Sequence, residues 1–438
     1  MKALVAGFAV GVGAACAGGG ILAVQRGGSG GWLFFLGLWF LLGTAGAFLL
    51  RRLAFPRQLR MRWPGFRRLG RFAGMFVVAL LLGEAVGYGA YAMLRGEVLE
   101  TAWTLPADES GGHEPKGFWT TADAFVRVRA NGVASYGVRD GRPRWSRKLS
   151  VCEASRNTDE GVGLVSFSSG EKGCDRLTAL DLSTGRSLWA AKTDVPDREP
   201  GWETGSGIAV RPTRAGLRVI DLQTGKPRRA PRPPAGCTFD SRSPVRVGDG
   251  RFVAAASCKD GSVRLVAADL QGKTLWAAEQ KAGQITVLSA APLVLQWKAS
   301  EKRELLVLDP RDGTRTGTVP VPPQENALVL FGAGRIHVAD GKSAVRTYAL
   351  DGELLWSSTF DGPLRSAHLA GSTLFATYGS GFAAPTTLAA LDARSGTVNR
   401  EVTVPYSASG TGSPILHTTS DRVLFVLQDR SEAQAFAF

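Results

Sequence analysis

Histidine and methionine are scarce in this chain, four of each in 438 residues, and cysteine occurs only five times. His113, His337, His368 and His417 stand alone, and no C-x-x-C pair exists, which argues against a zinc site. The G-x-S-x-G, H-E-x-x-H, P-loop and EF-hand patterns are all missing, so the usual hydrolase, metalloprotease, nucleotide and calcium motifs cannot be read. Acidic residues are absent from the whole of 51–71. Beyond residue 97 no convincing amphipathic-helix pattern occurs. Low-complexity disorder is excluded by ordinary charge density and by 21 Phe, 11 Trp and 6 Tyr.

What is present divides the chain in two. The net charge is +14, but residues 1–97 hold +9 of it and the remaining residues only +5. The surplus is therefore a topology signal and not a nucleic-acid footprint, and no nucleic-acid partner is expected. Three uncharged or nearly uncharged runs, about 4–24, 32–50 and 72–94, are each long enough to cross the bilayer as a helix. Between the second and third lies the loop 51–71 with eight arginines, which the positive-inside rule places in the cytoplasm. Residues 1–97 thus read as a multi-pass membrane anchor, and 98–438 as an extracytoplasmic domain. Gly13-Ala14-Ala15-Cys16 only loosely matches a lipoprotein cleavage site, because Gly13 stands where leucine is usual. Arg residues interleaved with Met61, Trp63 and Phe66 allow the basic loop to serve either as a topogenic signal or as a lipid-headgroup contact.

Glu84 lies near the middle of the third span, where an ionised carboxylate costs at least about 3 kcal/mol. Two readings stand for it: a partner-contact or proton site, and an interhelical hydrogen bond. Four of the five cysteines fall in the extracytoplasmic part, as Cys152 with Cys174 and Cys237 with Cys258. In an oxidising compartment these pairs are expected as disulfides, each closing a loop worth about 3 kcal/mol. Four buried thiols are the alternative.

From residue 98 the pattern is short apolar strands with Gly and Asp turns, and it repeats at about forty residues. The anchor is a strand ending in Asp, a turn Gly, then often Trp. It occurs at Asp140-Gly141-Trp145, Asp181-Gly185-Trp189, Asp221-Gly225, Asp269-Gly272-Trp276, Asp309-Gly313, Asp351-Gly352-Trp356 and Asp392-Gly396. Where Trp is missing, Arg229, Gly317 and Arg400 stand in its place. The Asp intervals run 41, 40, 48, 40, 42 and 41. Asp can accept a hydrogen bond from the backbone two residues on, Gly supplies positive φ, and Trp can plug the space between neighbouring sheets. Forty residues make one four-stranded sheet, and such sheets stacked radially form a propeller. After the seventh anchor, 413–418, 423–428 and 433–438 read as three more strands. The strand 98–105, with Trp103, can supply the fourth. The expected fold is all-β: an eight-bladed propeller of four-stranded blades closed by strands from both ends, with seven blades as the alternative, preceded by three transmembrane helices.

The anchors resemble the PQQ-like (pyrroloquinoline-quinone) β-propeller repeat, approximately apolar-x-A-L-D-x-x-T-G-x-x-x-W, of which LTALDLSTGRSLW is nearly a full match. The resemblance spans 98–438 and implies the fold, not the activity. Family dehydrogenases carry quinone and calcium in a central funnel, typically with an adjacent-Cys disulfide and an acid–Asn–Asp set. Here no two cysteines are adjacent and no such set is readable, so no cofactor, PQQ included, and no catalytic or metal-binding residue is expected. The chain is more similar to membrane-attached propellers that bind other proteins. The expectation is a non-enzymatic, bacterial envelope scaffold, anchored in the lipid bilayer, that docks an envelope or membrane protein. The alternatives are a quinoprotein oxidoreductase, or a sensor subunit signalling through its helices.

Overall fold

A computed structural model describes residues 13, 14, 17, 99–105, 115–170, 173–193, 201–280, 283–299, 302–322, 327–379, 386–404, 424–428 and 433–437. The expected helices over 4–24, 32–50 and 72–94, the loop 51–71 and Glu84 lie almost entirely outside these residues. Among the described residues no helix is long and apolar enough to cross a membrane. The chain divides into two compact units. One comprises Met1–Leu99, Thr377–Ala390 and Asn399–Thr411; the other comprises Glu100–Ala376, Leu391–Val398 and Gly412–Phe438.

From residue 99 on the described residues are all-β and build seven propeller blades, with the strands in sequential order in all but one of them. The blades cover Pro115–Lys148, Ser150–Lys192, Glu203–Arg228, Cys237–Gln280, Gln284–Pro320, Leu328–Thr359 and Leu364–Val404, numbered here in that order. Six have four strands, and blade 4 has five. An eighth sheet of three described strands joins the two ends of the domain: Glu100–Leu105 pairs with Ala433–Ala437, which pairs with Leu424–Gln428. The structure thus supports seven blades built on a four-stranded plan, one with an added strand, and the expectation of eight complete ones is not carried by the described strands. The expected strand 413–418 lies outside them.

Burial explains why the strands differ in sequence. Second strands are buried along nearly their whole length, as in Ala124–Arg129 and Ile208–Thr213, where even Arg127 and Arg211 are covered, because sheets cover both of their faces. Fourth strands alternate exposed and half-buried residues, as in Ser187–Lys192, since only one face is covered. Each apolar cluster in the second unit is built by two neighbouring sheets. Leu164 and Ala179 of blade 2 meet Trp202 and Ala209 of blade 3, and Ala255 and Leu265 of blade 4 meet Val287 and Leu295 of blade 5.

The repeat motif has its own mechanics. All seven motif aspartates accept a hydrogen bond from the backbone N–H two residues on, for instance Ser183 to Asp181 at 2.8 Å and Arg394 to Asp392 at 3.0 Å. Two of them are nevertheless not at the strand end. The residue in the strand-end position is Gly137 in blade 1 and Ala349 in blade 6, as their turn hydrogen bonds show. Asp140 and Asp351 cap the turn from within it. A side chain at Gly137 would run into the Asp140 carboxylate, which already occupies that space.

Tryptophan packing depends on the next blade's turn. In five blades the strand-end N–H reaches the carbonyl five residues on: Gly137, Asp181, Asp221, Asp309 and Asp392. Each of those turns is covered by a tryptophan from the preceding sheet. The indole N–H donates to a turn carbonyl: Trp103 to Val138 (2.7 Å), Trp145 to Leu182 (3.0 Å), Trp189 to Leu222 (2.9 Å), Trp276 to Pro310 (2.9 Å) and Trp356 to Ala393 (3.2 Å). The ring lies flat on the turn glycine. A Cβ added at Gly185 would sit 2.5 Å from the Trp145 ring, and φ there is +70°, so both the contact and the backbone require glycine. In the other two blades the turn is one residue shorter, Asp269 to Lys273 and Ala349 to Glu353. There the turn backbone itself fills the space. Gly317 occupies the tryptophan register opposite Val307 and packs against Leu350 and Asp351. Ahead of blade 4 the fourth strand has lost its bulge. Arg228, not Arg229, therefore takes the tryptophan register, opposite Val219, and donates to the Leu270 carbonyl.

Candidate functional site

The one long repeat interval, between Asp221 and Asp269, is an insertion ahead of blade 4. Its residues Cys237 and Thr238 form a short strand that pairs with the end of Arg251–Cys258, beside the regular first strand Val245–Gly248. The Cys237–Cys258 disulfide fixes this pairing, and Cys152–Cys174 similarly ties the first strand of blade 2 to its own second-to-third connection. Both pairs match those expected from the spacing. Both lie at the blade edge where fourth-to-first and second-to-third connections emerge.

The inserted loop forms one wall of a cleft of about 860 Å³ over blades 3, 4 and 5. The loop is held by its own hydrogen bonds. Asp240 N–H donates to Ser243 Oγ (2.9 Å), Ser243 N–H to the Asp240 carbonyl (3.0 Å), and Arg242 N–H to Asp240 Oδ1 (2.7 Å). Val245, Ala255 and Ile285 supply apolar lining, while Arg156, Arg214, Arg242 and Arg246 supply positive charge.

The cleft's acids are already engaged. Glu203, on the first strand of blade 3, is buried and accepts from Arg246 at 3.3 Å, and Arg246 also donates to the Leu288 carbonyl of blade 5. Burial pushes the Glu203 carboxyl above its usual range, against the opposing pull of Arg246 and Arg156. Burial also lowers Arg246. Asp240 is spent on its own turn. Behind the cleft Arg211 is 1% exposed, ion-paired to Glu153 at 3.2 Å and placed over the Trp202 ring at 5.9 Å from its centre. A removed partner would leave a buried charge, so this group locks blade 3 to blade 2.

The residues singled out in sequence do not converge on a site. The motif aspartates and glycines are dispersed one set per blade at the turns, and Trp103, Trp145, Trp189, Trp276 and Trp356 lie between sheets. His337 is in the core, with Nδ1 2.7 Å from Thr347 Oγ1 and the Trp356 ring 6.0 Å away; burial pushes it down to about 4. His368 is also lowered by burial. His113 and His417 lie outside the described residues. The sequence reasoning missed the arginines of the cleft. The signal that could have found them was the 48-residue interval, whose extra residues contain Arg242.

The four described cysteines are consumed in pairs 22 and 21 residues apart, and no group of three or more His, Cys, Asp or Glu able to hold a metal ion occurs among the described residues.

Sequential four-stranded sheets of this kind define a β-propeller. Residues 301–435 match the PQQ_2 family model, described as outer membrane protein assembly factor BamB, so the repeats in that stretch are of the PQQ-like type. No curated protein matches the chain. Among solved structures, the computationally designed Ika8 protein is similar at TM-score 0.54 and 14% identity, covering 78% of this chain and 100% of that one. The C-terminal WD40 domain of Sif2 is similar at TM-score 0.50 and 12% identity, covering 78% and 99%. BamB from Moraxella catarrhalis gives TM-score 0.41 at 15% identity, covering 64% and 97%. At these identities the likeness shows the fold alone.

Proposed function

We propose that the chain is a membrane-anchored, extracytoplasmic propeller acting as a non-enzymatic binding scaffold in the cell envelope. The observation that carries this reading is the disulfide-pinned cleft. The repeat's one long insertion, the Cys237–Cys258 disulfide and a concavity of about 860 Å³ coincide, while every motif acid is used in a turn. Rigid blades displaying variable connections suit binding. Two disulfides suit an oxidising compartment, in keeping with the topology read from the arginine loop. On this reading the eighth sheet is the closing blade, and the protein works without quinone. The match to an assembly-factor family model supports a protein partner in the envelope.

The test is co-purification from native membranes in detergent with quantitative mass spectrometry, comparing the full chain with residues 1–97 alone. A protein enriched only when the propeller is present is the expected result. Equal recovery with both forms rejects the scaffold.

A further inference from the structure

We propose that the cleft over blades 3–5 is a docking groove for an acidic peptide segment of the partner, gripped by Arg156, Arg214 and Arg242. This rests on the scaffold reading and gives the partner its chemistry. Arg214 and Arg242 are exposed at the rim, and Arg156 is exposed beside Glu203. Among the described residues none of the three makes an ion pair, whereas Arg246 and Arg211 are both committed to glutamates. Three guanidinium groups around one concavity, none in an ion pair among the described residues, ask for an anion.

The form of that anion follows from placement. Arg156 comes from blade 2, Arg214 from the second-to-third turn of blade 3, and Arg242 from the insertion of blade 4. A ligand meeting all three must carry several acidic groups along a chain, which a single small anion does not. The apolar lining at Val245, Ala255 and Ile285 gives intervening side chains a surface to pack on. A flat bilayer cannot enter a concave site, and a net charge of only +5 beyond residue 97 is a poor footprint for nucleic acid. The wall is preorganised by the Asp240–Ser243 turn and by Cys237–Cys258, which lowers the ordering cost of binding.

The probe is a fluorescein-labelled hexaglutamate peptide, titrated with the purified full-length chain in detergent and read by fluorescence anisotropy. Binding is expected at low salt and should weaken as salt rises. Arg214→Glu with Arg242→Glu should weaken it about tenfold or more. The control Arg186→Glu with Arg394→Glu, on the opposite blade edge, should leave it unchanged. No binding by wild type, or equal loss in both double variants, overturns the proposal. Inorganic phosphate competing at the peptide's own affinity also overturns it, in favour of a small-anion site. The Arg214/Arg242 variant is then carried through the membrane co-purification. Loss of the partner supports the groove. A partner retained in full overturns the groove while leaving the scaffold reading standing.

Discussion

At five joints between neighbouring sheets a tryptophan covers a long turn, and at two joints the turn is one residue shorter and no tryptophan is present. The two arrangements fill the same volume, once with an indole ring and once with backbone. A missing tryptophan in this repeat is therefore not a decayed motif. It is the partner of a shortened turn in the next blade, and the two features exchange together because the interior is close-packed. The short-turn joint ahead of blade 4 also adjoins the disulfide-bearing insertion that walls the cleft.

The comparison breaks most sharply if the tryptophan is restored where the turn is short. Gly317→Trp forces a ring into the space held by Leu350 and Asp351, and should cost more than about 4 kcal/mol or abolish folding. Urea denaturation followed by circular dichroism measures it, and a variant as stable as wild type would refute the volume-exchange rule.

A second test separates one tryptophan joint from the other four. Trp356 packs beside a buried histidine, His337, whose pKa in the fold is about 4. Its value in the unfolded chain is about 6.5. Because folding lowers it, the neutral ring's contribution is complete above the unfolded value and is lost as pH falls towards 4. At about 1.4 kcal/mol per unit, the loss reaches about 3 kcal/mol. His337→Gln should flatten the stability profile between pH 6.5 and 4. An unchanged slope would show that the joint does not hold the ring neutral.

The smallest expected effect isolates the indole hydrogen bond. Trp189→Phe keeps a ring on Gly225 but removes the donor to the Leu222 carbonyl, and should cost about 1 kcal/mol. A loss comparable to that of Trp189→Ala would mean that ring size, not the hydrogen bond, governs the joint.

Much of the fold was legible because its signals are local. A repeat of Asp, Gly and Trp at fixed offsets specifies a turn and the strand that follows, and the two cysteine pairs announced themselves by near-equal spacing within one repeat each. The position of Asp140 and Asp351 was not legible. An aspartate two residues before its donor N–H satisfies the same hydrogen bond from the strand end or from within the turn, so the sequence motif is blind to the offset. The candidate site was scarcely legible. Arg156, Arg214 and Arg242 are separated by many residues and belong to three different blades.

The sequence alone determined the strand-and-turn grammar, the period and the pairing of the cysteines, because each depends on contacts between residues close in the chain. Only the tertiary structure decided which turns receive a tryptophan and which arginines share a cleft. Those depend on side chains from different sheets competing for one volume, and the order of residues along the chain carries no record of that competition.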